Sequence, residues 1–137
     1  MADVFSTAKR SSIMSNVRDK NTRPEVIVRS ALHRQGYRFR LHRRDLPGTP
    51  DIVLPKHRMV IFVNGCFWHQ HKGCAQARRP KSNHAFWAAK LDRNVARDRK
   101  NCTDLKRLGW RTVVIWTCQT ATPVGIMARL GREFTND

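Results

Sequence analysis

The chain has 137 residues, which is enough for one domain with a substantial hydrophobic core. Its 27 lysines and arginines outnumber 10 aspartates and glutamates, and the formal charge of +17 predicts a polyanionic partner, with nucleic acid as the first candidate. A membrane-surface binder or a basic protein without a polyanionic partner would fit this charge too, but the basic residues follow no single amphipathic helix and no apolar run could span a bilayer.

The N-terminal segment, residues 1–20, is polar and basic without a sustained hydrophobic period. This composition predicts an arm or short helix that becomes ordered on a partner. The segment also lacks the apolar core of a signal peptide, so we expect a cytoplasmic protein. In that compartment the four cysteines are more typical of thiols or metal ligands than of disulfides.

Capping signals and hydrophobic periodicity predict the elements of residues 21–137. In the first helix, residues 22–36, Thr22 can serve as N-cap with Glu25 three residues later, as in a capping box, and Gly36 can end the helix. Strands are predicted at 37–41, 51–54, 59–64 and 110–118, and further helices at 82–108 and 121–134. The order αβββαβα, without a repeat or linker, predicts a single three-layer α/β domain around a mixed central sheet.

Ligand-type residues follow the strand 59–64 directly. The set consists of Cys66, His71, Cys74 and Cys118, the last at the end of a strand that could run beside 59–64. Three thiolates and one imidazole suit a closed tetrahedral zinc site. The alternative is core cysteines and a loop histidine, but a polar loop flanked by glycines is a poor place to bury a thiol. Cys102 is expected to be a small core residue.

A carboxylate interrupts the apolar stripe of the long predicted helix. The stripe contains Trp87, Leu91, Val95, Asp98, Cys102 and Leu105. An unpaired inward carboxylate would be costly, so Asp98 needs a partner. Arg97 or Arg99 could be a purely structural one. The alternative is His69, which a carboxylate would hold in one tautomer as a general base.

Asp51 begins a short apolar strand next to the strand 59–64. Adjacent strands with a Pro-Asp pair and a downstream polar residue are how many metal-dependent nucleases hold Mg²⁺ against a phosphate. Taken alone, an aspartate after Pro50 is more often a turn or strand-edge residue, and Glu25 is equally well explained as a helix cap. The combination of carboxylates, a histidine and a very basic chain favours a nuclease.

Four segments resemble successive motifs of the very-short-patch-repair (Vsr) DNA mismatch endonucleases. They read LPGTPDIVL, VIFVNGCFWHQH, PKSNHAFWAAKLDRNVARD and LGWRTVVIWTC, and the similarity runs from about Lys9 to Cys118. The resemblance implies a fold of the type II restriction endonuclease class. It also implies a strand-specific nick beside the T of a T:G mismatch, the lesion left by deamination of 5-methylcytosine, which initiates very short patch repair.

The resemblance implies a role for each residue of the catalytic site. Asp51 becomes a direct Mg²⁺ ligand, and the main-chain carbonyl of Val63 becomes a second one. Glu25 has an outer role in the metal site. His69 becomes the base that activates water, with Asp98 behind it. The zinc site described above becomes a structural support.

The chain departs from the family pattern at two positions. Asn64 stands where the best-known member has a histidine, and an amide can donate a hydrogen bond but cannot shuttle a proton. This difference affects the leaving-group side of the mechanism. Thr117 stands where a glutamate is common, and we expect this difference to matter little.

The resemblance also implies how the protein reads DNA. Rings that match Phe67, Trp68 and Trp87 wedge between base pairs beside the mismatch, where a wobble pair is cheaper to open than its neighbours. Met14, on the arm, matches a residue that enters from the opposite groove. Four residues complete these expectations, Lys9 and Arg10 as DNA contacts and Trp110 and Trp116 as core residues.

The expected protein is therefore a monomeric, Mg²⁺-dependent and zinc-containing endonuclease that acts on double-stranded DNA with a T:G mismatch. Its arm, residues 1–20, contacts DNA, and residues 21–137 form the endonuclease domain. Mismatch-repair proteins are candidate partners and a membrane is not. Two alternatives stay open: a zinc-containing protein that binds mismatched or modified duplex without cutting it, which Asn64 leaves open, and a restriction-type nuclease on intact duplex.

Overall fold

The computed structural model describes residues 22–120 and 123–134. The helices are α1 (Arg23–Arg34), α2 (His84–Arg107) and α3 (Pro123–Phe134), and the strands are β1 (Arg40–Leu41), β2 (Ile52–Leu54), β3 (Met59–Asn64) and β4 (Arg111–Trp116). The predicted arm, with Lys9, Arg10 and Met14, lies outside the described residues. Among the helices of the described ranges, none is both long and apolar enough to cross a membrane.

The four strands form one mixed sheet in the order β1-β2-β3-β4. The pairs β1/β2 and β2/β3 are antiparallel, as expected for strands joined by short connections. The pair β3/β4 is parallel, with Met59 opposite Arg111 and Asn64 opposite Trp116, and α2 lies in the crossover between them. This arrangement confirms the predicted α/β class with a mixed central sheet.

Helices cover both faces of the sheet, which gives three layers. On one face, α1 and α3 pack Val28, Leu32, Ile126 and Leu130 against alternate strand residues such as Ile61. On the other face, Leu105 of α2 packs against the strand side chains that point in the opposite direction. The strands β2, β3 and β4 are therefore covered on both sides, whereas β1 is an exposed edge strand. Burial of these apolar side chains is the main stabilising contribution.

Two predicted core tryptophans have different environments. Trp110 is 8% exposed and packs beside Leu105, with the Arg58 guanidinium 4.4 Å from its ring centroid. The core prediction for Trp110 is therefore confirmed. Trp116 is only partly buried, and its ring stacks on His71 with centroids 4.3 Å apart. Trp116 therefore supports the ligand-rich loop and lies outside the two main core clusters.

Several boundaries differ from those predicted. The strand predicted for 37–41 is reduced to Arg40–Leu41, and the last strand ends at Trp116 before a 3₁₀ turn, Thr117–Gln119. Thr22 is the N-cap of α1, but within the described residues its side chain makes no capping hydrogen bond. The expected capping box is wrong, because Glu25 points into the protein and not back along the helix.

The turn before Asp51 depends on a close approach to α2. Gly48 has φ +78°, and a Cβ there would lie 2.8 Å from Nδ2 and 3.1 Å from Cβ of Asn101. Gly36 has a similar φ of +82°, yet a Cβ there would meet no described atom within 4 Å. A comparison of substitutions at the two glycines therefore separates the effect of backbone strain from that of steric contact.

We expect Gly48→Ala to destabilise the protein by roughly 2–3 kcal/mol, because it adds a clash with Asn101 to the left-handed strain. The matched control Gly36→Ala has only the strain and should cost about 1 kcal/mol. Urea denaturation of both variants measures the two losses. Equal losses would show that Asn101 moves aside freely and does not restrain the turn.

Candidate active site

A cavity of about 700 Å³ lies between the first turn of α1, the ends of β2 and β3, and α2. The predicted catalytic and cation-binding residues line it: Glu25, Asp51, Val63, Asn64, His69 and Asp98. The predicted wedge residues Phe67 and Trp68 line it as well. These residues are up to 73 positions apart in the sequence, since the range runs from residue 25 to residue 98. The fold therefore brings the predicted set together in one open cleft.

Asp51 projects into this cleft from the start of β2. Its Oδ2 accepts a hydrogen bond of 2.7 Å from the main-chain N–H of Val63, on the neighbouring strand β3. Burial raises the pKa of Asp51 to about 6; the Val63 hydrogen bond opposes this rise, and the negative charge of Glu25 adds to it. A nearby cation would strongly stabilise the ionised form of such a carboxylate, because it would replace the hydration that burial removes.

Glu25 faces Asp51 from the first turn of α1 and is only 2% exposed. The Arg29 guanidinium, one turn along the helix, lies 3.1 Å from its Oε1. The His42 ring contacts the same oxygen through Nε2. One ligand atom from each of Glu25, His42 and Asp51 lies within 4.8 Å of the others, a spacing compatible with one divalent cation.

His42 was not predicted as a site residue from the sequence. Its only local signal is a position directly after the predicted strand 37–41, which does not distinguish it from a loop residue. Its partner Glu25 is 17 residues away, and the contact depends on how α1 packs on the sheet. A contact of this kind has no periodic pattern in the sequence.

His69 and Asp98 form the predicted hydrogen bond. His69 Nδ1 lies 2.6 Å from Asp98 Oδ2, and both side chains are 32% exposed. Because the carboxylate accepts, Nδ1 carries the proton and Nε2 keeps a lone pair. On the same face of α2, Asn94 Nδ2 donates to the Trp68 carbonyl at 3.1 Å. Two contacts from α2 thus hold the segment that carries the imidazole, which can accept a proton.

Asn64 ends β3 and is 7% exposed at the wall of the same cavity. Its amide can donate a hydrogen bond to an oxygen in the cleft, but it cannot release or take a proton at neutral pH. Among the residues that the structure describes, His69 therefore places an accepting nitrogen in the cleft with Glu25 and Asp51, and Asn64 places a neutral donor there.

Cys66, His71, Cys74 and Cys118 also come together, at the end of β3 and β4. His71 Nδ1 lies 3.7 Å from the sulfur of Cys66 and 3.4 Å from that of Cys118. Zinc with bonds of about 2.3 Å to sulfur and 2.0 Å to nitrogen separates tetrahedral ligands by roughly 3.5–3.8 Å. The cysteines form no disulfide in the described part of the chain. The spacing and the ligand types fit a closed zinc site.

Thr117 supports this cluster. Its hydroxyl lies 3.4 Å from the Cys66 sulfur and 3.4 Å from the Cys66 main-chain nitrogen. Burial alone would raise the pKa of the Cys66 thiol, but hydrogen bonds from Thr117, His71 and Cys118 lower it to about 7. A thiolate is the form that ligates a metal. By contrast, burial and the charge of Asp98 raise the pKa of the partly buried Cys102.

Aromatic rings form a ridge beside the cleft. Phe67, Trp68 and Trp87 are mutual neighbours, with ring centroids 5.1–5.9 Å apart. Phe86, which was not predicted as a contact residue, is 58% exposed and packs edge-on against Trp87. The Lys90 ammonium lies 5.5 Å from the Trp68 ring. Rings and a cation at one surface are typical of contacts with stacked bases and phosphates.

Known proteins match this chain over most of its length. The family model for DNA mismatch endonuclease Vsr matches residues 2–76. The type II nicking enzyme V.XorIIP of Xanthomonas oryzae is 52% identical over 130 residues, which cover 95% of each protein. The type II nicking enzyme V.NmeAIP of Neisseria meningitidis is 42% identical over 132 residues, covering 96% of this chain and 94% of that enzyme. DNA mismatch endonuclease Vsr of Escherichia coli is 42% identical over 118 residues, covering 86% of this chain and 75% of that enzyme. The chain therefore belongs to the Vsr family of DNA mismatch endonucleases, enzymes that cleave phosphodiester bonds.

Proposed function

We propose that the protein nicks one strand of duplex DNA beside the T of a T:G mismatch and so initiates very short patch repair of deaminated 5-methylcytosine. The observation that carries this proposal is a single cleft in which the buried Glu25 and the partly buried Asp51 face the His69–Asp98 pair. The aromatic ridge beside the cleft and the charge of +17 supply the means to hold a distorted duplex.

The cation for this reaction is Mg²⁺, held by Asp51 and the Val63 carbonyl, with Glu25 in an outer position. Carboxylate and carbonyl oxygens are the ligands that Mg²⁺ prefers. The burial of Glu25 and the partial burial of Asp51 support the assignment. When bound, Mg²⁺ supplies charge neutralisation to the phosphate in the transition state. Asp51 contributes the negative charge that keeps a cation at this end of β2.

His69 acts as the general base. Asp98 holds Nδ1–H at 2.6 Å, so Nε2 is directed into the cleft as the acceptor of a proton from the attacking water. Asp98 also stabilises the imidazolium that results. Asn64 donates a hydrogen bond toward the phosphate or the departing oxygen, and the proton for that oxygen comes from solvent.

DNA is recognised by the ridge and by the arm. Phe67, Trp68 and Trp87 insert where a T:G wobble pair weakens stacking, and residues 1–20, with Lys9, Arg10 and Met14, contact the duplex from the other side. The endonuclease domain, residues 21–137, carries the cleft and a structural zinc site.

We expect the purified protein to hold one zinc ion and Cys118→Ser to lose it, because a hydroxyl replaces one of three thiolates. Metal analysis by mass spectrometry measures the ratio of zinc to protein. Cys102→Ser is the matched control, since Cys102 lies on α2 outside the cluster, and it should retain zinc. A full zinc content in Cys118→Ser would show that this cysteine is not a ligand.

A nicking assay on labelled duplexes tests the function itself. We expect one strand to be cut beside the T in a T:G duplex with Mg²⁺, and no cutting of a matched T:A duplex or with EDTA. Binding of the mismatched duplex without a nick would favour the non-cutting alternative. Cutting of matched and mismatched duplexes at equal rates would favour a nuclease on intact DNA.

A further inference from the structure

We propose that His42 is a positioning residue of the cation site, which holds the carboxylate of Glu25 facing Asp51. The inference rests on the proposed cation site and adds to it a residue that neither the family motifs nor the sequence pattern assigned. Its basis is the contact between His42 Nε2 and Glu25 Oε1, together with the burial of both groups.

The backbone carries His42 to this place. β1 pairs with β2 so that Leu41 lies opposite Ile52, and the next residue, His42, donates its N–H to the carbonyl of Asp51 at 3.2 Å. His42 has φ +49°, a left-handed conformation that L residues rarely adopt. Strain of this kind persists where the surroundings require one orientation of a side chain. Here the conformation turns the chain out of β1 with the imidazole against α1.

Burial limits the alternative conformations and partners of the His42 and Glu25 side chains. Their exposed fractions are 12% for His42 and 3% for Glu25, so water does not readily replace the contact. Arg29 also reaches Oε1 of Glu25, and two donors on one oxygen restrict rotation of the carboxylate. Without them, Glu25 and Asp51, which repel each other, would turn apart.

The nitrogen that contacts Glu25 is a donor to the carboxylate and not a ligand of the cation. Nε2 donates its proton to Glu25 and has no lone pair for a metal, so this contact acts through Glu25. Outer residues that orient a metal site through hydrogen bonds typically change metal affinity by about 10- to 100-fold when they are mutated. The predicted effect is therefore on cation affinity.

The test is a Mn²⁺ titration of the zinc-loaded protein without DNA, followed by electron paramagnetic resonance of free Mn²⁺. We expect His42→Ala to weaken Mn²⁺ binding by about tenfold or more. His42→Gln should stay within about threefold of the wild type, because its amide N–H can donate to Glu25. His33→Ala, at an exposed position on α1, is the matched control and should bind as the wild type does. Thermal melts establish that each variant is folded.

Three outcomes would overturn the inference, and they differ from one another. Wild-type affinity in folded His42→Ala would show that the contact has no effect on the cation. Equal losses in His42→Ala and His42→Gln would indicate that the imidazole ligates the metal directly. The wild type could fail to bind Mn²⁺, or Asp51→Asn could bind it as tightly as the wild type does. Either result would show that the proposed cation site is wrong, and His42 would then have no site to position. We also expect the double variant Glu25→Gln/His42→Ala to bind Mn²⁺ only slightly more weakly than Glu25→Gln alone. The reason is that the two side chains act as one unit.

Discussion

Asp51→Asn is expected to abolish nicking, with a loss of at least about 1,000-fold in single-turnover rate, while binding of T:G duplex is retained. The change removes the anionic ligand for the cation but keeps an oxygen that can accept the Val63 N–H. The surface charge that attracts DNA is almost unchanged, so affinity should persist. Nicking and gel-shift assays on the same duplex separate the two effects.

The same variant should be more stable than the wild type at alkaline pH when no divalent cation is added. Folding raises the pKa of Asp51 from 3.8 to about 6, so its ionised form is disfavoured in the folded state. The wild type therefore loses stability as pH rises from about 4 to above 6, by up to about 3 kcal/mol. Urea denaturation at pH 4 and pH 8 should show Asp51→Asn gaining stability over the wild type only at the higher pH.

Asp45→Asn is the matched control for both measurements. Asp45 is exposed and pairs with Arg43 outside the cleft, and the hydrogen bond with Arg43 lowers the pKa of Asp45. Its substitution should therefore leave nicking unchanged and give no stability gain at pH 8. Wild-type nicking rates in Asp51→Asn would remove Asp51 from the mechanism. A stability gain at pH 8 without loss of nicking would mean that the carboxylate is buried for other reasons.

His69→Ala should lower the single-turnover rate on a T:G duplex by about 100- to 10,000-fold, because the general base is lost. Asp98→Asn should slow the reaction less, since the base remains but its tautomer and orientation are no longer held. The double variant should be little worse than His69→Ala alone, because groups that act as one unit are not additive. Asp92→Asn is the control on the same helix, where Asp92 pairs with Arg79 at the surface.

Effects that multiply independently would contradict this division of roles. In that case Asp98 would contribute to the packing of α2 or to a second cation, and its contact with His69 would be incidental. Thermal melts of the wild type and all four variants accompany the rates, because Asp98 is partly buried and its substitution can destabilise α2.

Local patterns in the sequence were sufficient for the element order and for several site residues. Alternating and helical periodicities reflect which side of each strand and helix is buried, so the α/β class followed directly from them. The inward position of Asp98 was readable because residues four and seven apart share a helix face, and this position required a partner for its carboxylate. The Cys66 to Cys74 cluster was readable because ligand residues close in sequence must lie close in space.

Contacts between residues that are distant in the sequence were decided by the tertiary structure. Glu25 was readable as a cap from its spacing to Thr22, yet packing of α1 on the sheet turned it toward Asp51 and His42. The sequence does not distinguish His42 from a loop residue, because its position depends on the β1/β2 register and on its left-handed backbone. Trp116 was expected in the core and instead stacks on His71, since parallel pairing of β3 and β4 brings their ends together. Periodicity reports which side chains are buried, whereas the partners of a buried polar group are chosen by the packing of whole elements.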